Sequence, residues 1–405
     1  MDNAQLKSKF FYICNVFEEK VKKERHISTD SPAASGKVIR LCRAVRSAGG
    51  FVSIISLGRG RQSGTWKAFA PTIRRSGRVP IVYLHYLNVP ILTHIITALS
   101  LCTVLWRVTD RNSVLIFYNS EPHYTLALVL NRIMGRRCIL DLEDGYRSDD
   151  KSLRGVINGY LLRLYNILID GGAMVASTSL KSQTPLEPKR VFYGVAPIVD
   201  VERHWSKDKL NVLFGGSLLR DTGAELFLEA LGVITTDYPQ VHGRIKFFIT
   251  GTGDYTGKIE KASKGVAADF IVFFGNVDKG KYKQLLRESH VGLCLKLPSS
   301  PMGATTFPSK VVEIATNGLL LLSTRVSDVP LVFADSEAFF LDEVTPNALA
   351  ESLVHILNNP EKSRQMACNG KRKIRELLAP TIVGNKLLRF WRGIDLTDGL
   401  KAETT

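Results

Sequence analysis

Short runs rich in β-branched and aromatic residues recur along this chain, each followed by a stretch with helical spacing. That alternation restricts the fold to a parallel α/β architecture. In the first half such runs fall at residues 11–13, 52–56, 81–84, 114–118, 138–142, 173–176 and 190–193, with helical stretches at 36–48, 93–107, 124–134 and 153–169. Parallel strands need crossover connections and are covered on both faces, so they read as apolar runs separated by helices. The pattern starts afresh with strands at 211–214, 246–249, 269–274, 291–295 and 319–323, and helices at 223–231, from Lys310 through Glu313, and at 346–358 and 361–378. At 405 residues the chain exceeds one comfortable core. The polar stretch 196–209, with Pro197, Asp200, Glu202 and Lys207, is the best linker. The expectation is two doubly wound domains, 1–197 and 198–382, with ligands held beyond the C-terminal strand ends. The segment 383–405, with Leu387, Leu388, Phe390 and Trp391, is expected to pack back toward the N-terminal domain.

Composition narrows the function classes. Six widely spaced cysteines, none in a CxxC pair, leave disulfide, zinc and redox chemistry without support and read as small buried hydrophobes. The first residues carry no basic start leading into an apolar signal core, so a cytoplasmic protein is expected. Charge is uneven: residues 1–200 hold 28 Lys and Arg against 15 Asp and Glu, while the rest is nearly balanced. One domain therefore faces something anionic. No zinc-finger, helicase or RNP-like pattern is present, so an anionic membrane face is preferred to nucleic acid. The stretch 89–106 has no Lys, Arg, Asp or Glu and reads as a core helix, with a membrane-touching helix or a true span as the alternatives.

Four loops of the second half stand at one sheet edge. The first runs from Gly215, Gly216 and Ser217 through Arg220 and Thr222 to Gly223; the second holds Gly251 and Gly253; the third begins at Gly275. Glycines there permit close approach of a ligand, though each also suits a plain turn. The fourth, Thr305-Thr306-Phe307-Pro308-Ser309, is a polar turn handing over to a short helix with Lys310 and Glu313 three residues apart. Backbone N–H groups at a helix start beside a lysine suit an anion, and a carboxylate behind them can accept bonds from sugar hydroxyls. In the first half Glu143 and Asp144 follow a buried strand, where carboxylates are costly unless used or paired. Asp149 and Asp150 suit the cap of the next helix. Gly36, in a loop ahead of a helix, and His85 and His123, at strand ends, are candidates on the acceptor side.

These residues resemble the retaining glycosyltransferase family 4, whose members have the GT-B fold of two Rossmann-like domains facing across a cleft. The resemblance covers nearly the whole chain and is strongest over 211–322. It implies that Glu313 holds the donor ribose, that residues 307–310 meet the diphosphate through their backbone, and that Glu143-Asp144 stand where the family has His-Asp. Thr305 occupies the position of a family glutamate, and Ser217 and Thr222 occupy those of two basic residues, leaving Arg220 and Lys310 to counter the diphosphate. The implied function is transfer from a nucleoside diphosphate sugar to a glycan or lipid-linked glycan, as in lipopolysaccharide or capsule assembly. It requires neither cofactor nor metal and takes place in the cytoplasm, with peripheral contact to an anionic membrane. The alternatives are a non-catalytic subunit of a glycan-synthesis complex and a nucleotide-sugar epimerase or hydrolase.

Overall fold

The computed structural model describes residues 8–27, 31–60, 67–89, 92–145, 151–265, 267–300, 303 and 305–394. The chain forms two compact units, one built from the residues up to Val195 together with the segment from Pro380, the other from Ala196–Ala379. These breaks lie two and three residues before the boundaries expected from composition.

Unit 1 runs β1 (Lys9–Cys14), α1 (Glu19–Glu24), α2 (Pro32–Ser47), β2 (Phe51–Ser56), β3 (Ala68–Phe69), β4 (Thr72–Ser76), β5 (Val79–Tyr83), β6 (Tyr86–Leu87), α3 (Leu92–Val108), β7 (Val114–Tyr118), α4 (Pro122–Ile133), β8 (Arg137–Leu142), α5 (Leu153–Leu168), β9 (Ala173–Val175) and β10 (Lys189–Val191). Its main sheet has the order β10-β9-β8-β7-β1-β2-β5-β4. The sheet is parallel except at one edge, where β4 runs antiparallel to β5; β3 and β6 form a separate antiparallel pair. The purely parallel expectation fails at β4 because Thr72–Ser76 is mostly half-buried or exposed, as suits an edge strand with one face in water. The order reverses between β1 and β7, the point at which such sheets hold ligands. Helices α3, α4 and α5 cover one face, where Leu101, Tyr124 and Leu162 meet Phe11, Ile13 and Leu115.

Two readings of helix starts change. Gly36 is not in a loop: α2 begins at Pro32, with Ser31 as its cap accepting from the Ala34 N–H, so Gly36 lies within the helix. Proline suits the first helical turn because its missing N–H has no intrahelical partner there. The cap of α5 is Ser152, whose side chain accepts from Gly155 N–H at 3.0 Å; Asp149 and Asp150 lie outside the described residues.

Unit 2 runs β11 (Leu210–Ser217), α6 (Ala224–Asp237), β12 (Ile245–Thr252), α7 (Thr256–Lys264), β13 (Ile271–Phe273), α8 (Lys279–Glu288), β14 (Val291–Cys294), α9 (Lys310–Thr316), β15 (Leu320–Ser323), α10 (Val329–Val332), β16 (Phe339–Phe340), α11 (Pro346–Asn358) and α12 (Pro360–Leu378). Its sheet order is β13-β12-β11-β14-β15-β16, and the reversal falls between β11 and β14. Strand β11 is longer than its apolar run suggests. Gly215, Gly216 and Ser217 continue the ladder opposite Thr250, Gly251 and Thr252, so these glycines are strand residues and not a loop. Gly216 and Gly251 have φ of 105° and 126°, and a Cβ on Gly251 would collide with the Gly216 carbonyl oxygen. The two strand ends thus approach to a distance that only glycine allows.

The last helix, α13 (Pro380–Arg392), belongs to unit 1. It lies on α2, where a Cβ on Gly384 would collide with the Ala44 carbonyl, and its buried Trp391 packs 5.2 Å from the Phe10 ring. Among the cysteines Cys14, Cys42, Cys138 and Cys294 are buried as expected of small hydrophobes, whereas Cys368 is exposed.

Candidate active site

In unit 2 the polar groups gather at the C-terminal ends of β11 and β14. Helix α9 is short, and its Val311, Val312, Ile314 and Ala315 are buried. It sits directly on β14, because a Cβ on Gly292 would run into the Ile314 side chain. That seating places Lys310 against β11: its Nζ donates to the Gly215 carbonyl and fills the space that a Gly216 side chain would take. Burial lowers the Lys310 pKa, with Cys294 and Glu313 opposing the shift. Among the described residues no carboxylate forms an ion pair with Lys310, and the Phe214 ring centroid lies 5.9 Å from its Nζ. One turn on, the exposed Glu313 accepts from Tyr282 Oη of α8 at 3.0 Å, and Tyr282 also borders Gly215. Burial first, and then Glu313, raises the Tyr282 phenol. A cation, a sugar-competent carboxylate and two bare glycines therefore meet at one strand end.

The structure separates the remaining loop residues by task. Arg220 is exposed and tied to Glu225, 2.7 Å away, whereas Lys310 reaches the glycine edge. Thr222 locks its own turn, donating to the Ser217 carbonyl at 2.6 Å and accepting from Leu219 N–H at 3.1 Å. Gly223 and Gly253 are packing glycines, since a Cβ would strike the Leu295 and Leu218 carbonyls respectively. Ser217 is exposed, and Gly275, with φ of 60°, has open space around it. In the turn before α9 Phe307 is buried in the core, while Thr305, Thr306, Pro308 and Ser309 are half-buried. The Thr306 hydroxyl is buried with no hydrogen-bond partner among the described residues.

In unit 1 the acidic pair lies at the end of β8. Asn119, following β7 with φ of 59°, accepts from the N–H groups of Glu143 and Asp144 at 2.8 and 3.1 Å. Its amide donates to Asp144 Oδ2 at 2.9 Å. Glu143 pairs with Lys37 of α2 at 2.5 Å, both side chains being largely buried. Beneath them Tyr12 Oη donates to Asp141. Burial first, and then the Glu143 charge, holds the Asp141 carboxyl well above the usual carboxylate range, with Lys37 opposing. Because the folded value exceeds the unfolded one, this group favours folding at low pH. That contribution is lost as pH rises from about 4 toward the folded value. Asp141→Asn keeps an acceptor for Tyr12 and removes the titration. Thermal denaturation from mildly acidic to mildly alkaline pH is expected to show a steeper loss of stability in the native protein than in the variant; parallel profiles overturn the assignment.

His85 is exposed, and its backbone N–H donates to Ser100 Oγ. His123 instead joins a cluster at the β1/β7 reversal, where Arg59 contacts both His94 and His123. Burial, with the nearby Arg59 and His94, pushes His123 down to about 3, and burial also lowers Arg59. The result is one cation flanked by neutral imidazoles, with Glu121 Oε2 3.9 Å from His123 Nδ1. Arg59 is held by Asn15, which donates to its carbonyl at 2.8 Å. Sequence reasoning passes over Lys37, Arg59, Asn119 and Tyr282. Two of them leave a signal: Lys37 falls on the apolar face of α2 with Leu41 and Val45, and Arg59 stands between two glycines after a strand. Among the described residues no group of three or more His, Cys, Asp or Glu could hold a metal ion.

Residues 199–373, which contain the whole Lys310 site, match the family model described as "Glycosyl transferases group 1". Over this segment, which lies within unit 2, the chain is similar to the group 1 glycosyltransferases. A curated protein similar to this chain is a subunit of the phosphatidylinositol N-acetylglucosaminyltransferase of Arabidopsis thaliana, 22% identical over 310 residues. The match takes in 71% of this chain and 65% of the relative, less than two thirds of its length. Among solved structures, sucrose-phosphate synthase from Thermosynechococcus elongatus is similar with a TM-score of 0.68 at 14% identity, over 95% of this chain and 99% of that one. Anabaena HepE, solved in complex with UDP, gives a TM-score of 0.64 at 11% identity, over 94% and 98%. At such identities the likeness is one of fold, and the fold of this chain is GT-B.

Proposed function

We propose that this protein is a retaining glycosyltransferase that moves a hexose-like unit from a nucleoside diphosphate sugar to a glycan or lipid-linked glycan acceptor. The proposal places it in the cytoplasm, peripheral to a membrane, in the assembly of a surface polysaccharide. The observation that carries the reading is Lys310, half-buried against Gly215 and Gly216 without an ion-pair partner among the described residues. A cation held so is preorganised for the charge that develops on a leaving diphosphate, and such stabilisation supplies much of the rate enhancement in group transfer. In this reading Lys310, and not a metal ion, counters the diphosphate. Glu313, braced by Tyr282, holds the ribose, and Glu143 orients the sugar or acceptor. The leaving phosphate oxygen takes the acceptor proton as the new bond forms on the same face.

The UDP in Anabaena HepE makes UDP the first nucleotide to test. A ligand that binds only the folded state at about a hundredfold its Kd adds roughly 2.7 kcal/mol of stability. A rise in Tm is therefore expected with one of UDP, GDP or ADP or their sugars, and is expected to be lost in Lys310→Ala. No shift with any of them overturns the donor site and favours a non-catalytic subunit. Release of free or epimerised sugar from donor alone, with no transfer to any acceptor, favours the hydrolase or epimerase instead.

A further inference from the structure

The helices over one face of the unit 1 sheet are apolar on their outer side as well as their inner side. On α5, Leu162 and Tyr165 enter the core, yet Leu153, Val156, Ile157, Tyr160, Leu164 and Ile167 are exposed, Leu153 and Ile167 at 78% and 79%. Leu153, Ile157, Tyr160, Leu164 and Ile167 follow one another at alternating steps of four and three residues, which makes a continuous stripe. A surface helix ordinarily turns polar residues outward, and soluble monomers rarely leave a contiguous apolar patch bare. The layer continues through α4, which packs against α3 and α5 and exposes Ile133, and through Trp106 of α3.

Charge decides the occupant. Helices α3, α4 and α5 contain Arg107, Arg132, Arg154 and Arg163 and not one aspartate or glutamate. The Arg163 guanidinium lies 5.8 Å from the Tyr160 ring centroid, with an apolar stem that can cover the patch while its charge stays in the polar zone. Lys151, just before α5, is exposed. At the margins Asp170 is paired with Arg132 at 2.6 Å and Asp110 with Lys9 at 3.0 Å, and Arg107 and Arg163 are exposed. With 17 residues in α3 and 16 in α5, neither reaches the roughly 20 that a bilayer span requires. Among the described residues no helix is long and apolar enough to cross a membrane. An apolar face bordered by arginines fits a helix lying in the interface of an anionic bilayer.

We infer that the outer face of the α3–α4–α5 layer, centred on α5, docks on an anionic lipid surface. Glu143 and Asp144 stand on the connection from β8 to α5, and Asn119 on that from β7 to α4. The docking face thus shares its connections with the acceptor-side residues, which suits an acceptor carried by lipid. Docking requires no donor, so it is tested apart from sugar transfer.

The test is sedimentation of the full chain with vesicles of phosphatidylcholine alone or of a two-to-one mixture of phosphatidylcholine and phosphatidylglycerol. The native chain is expected to pellet with the mixed vesicles and to bind phosphatidylcholine weakly. A triple variant, Leu153→Glu, Tyr160→Glu and Ile167→Glu, is expected to lower the bound fraction by about tenfold or more while keeping its Tm, since all three residues are largely exposed. Arg163→Glu, which leaves the apolar stripe intact, is expected to weaken binding to the mixed vesicles only. A native chain that stays in the supernatant with both vesicles overturns the inference, as does a triple variant that binds like the native chain. Dimerisation in solution that the triple variant abolishes, without vesicle binding, gives the face to a second copy and overturns it equally.

Discussion

Lys310→Ala is expected to lower kcat/KM by about 10²-fold, a loss of roughly 3 kcal/mol in transition-state stabilisation, while leaving the fold intact. The size follows from where the ammonium sits. Its Nζ is bound to the Gly215 carbonyl beside the bare Gly216, and Arg220, the other basic candidate, is committed to Glu225. Burial already lowers its pKa, so the free enzyme bears the cost of holding this charge, and a bound diphosphate relieves it. The variant should therefore unfold at the same temperature as the native protein or higher, yet lose its thermal response to nucleotide. Steady-state kinetics beside denaturation curves check both halves. Full activity in the variant removes Lys310 from the mechanism, and a collapsed Tm assigns it a structural role.

Lys37→Met is expected to cost about 3–5 kcal/mol of stability, because removing one member of a buried ion pair leaves the other charged and unpartnered. Lys37 and Glu143 are 2.5 Å apart and largely shielded from water, and Asp141, with its raised carboxyl, lies close enough for their charges to act on it. Adding Glu143→Gln to Lys37→Met removes the stranded charge and is expected to restore most of the loss. Denaturant titrations of the native, single and double variants measure the coupling. Activity separates the two roles of Glu143. A double variant that is stable but inactive places Glu143 in the chemistry, whereas one that is stable and active confines it to holding the β8 end in place.

Much of the fold was legible because local patterns and the tertiary structure agree. The apolar runs at 114–118 and 138–142 became β7 and β8 with little change, and 153–169 became α5. Legibility failed where composition at an edge or end is ambiguous. Thr72–Ser76 has too little apolar alternation to read as a strand, and it exists because β5 offers it an antiparallel ladder. Gly215 and Gly216 read as a loop, yet β12 supplies ladder partners that keep them extended.

The candidate site divides in the same way. Lys310, Glu313 and the Glu143–Asp144 pair stood out in the sequence because charges next to apolar strands and helices need a reason to be there. Their partners lie far along the chain: Lys37 is brought to Glu143, Tyr282 to Glu313, and Arg59 to His94 and His123. Local spacing carries no record of such pairs. What the sequence alone determined was the alternation of strands and helices, the two-unit division and which polar residues stand at the strand ends, since periodicity and residue type act over a few residues. Tertiary structure decided which cation serves the glycine edge and which helix face is left bare. Sheet order and helix seating set those outcomes, and both arise from contacts between residues distant in the chain.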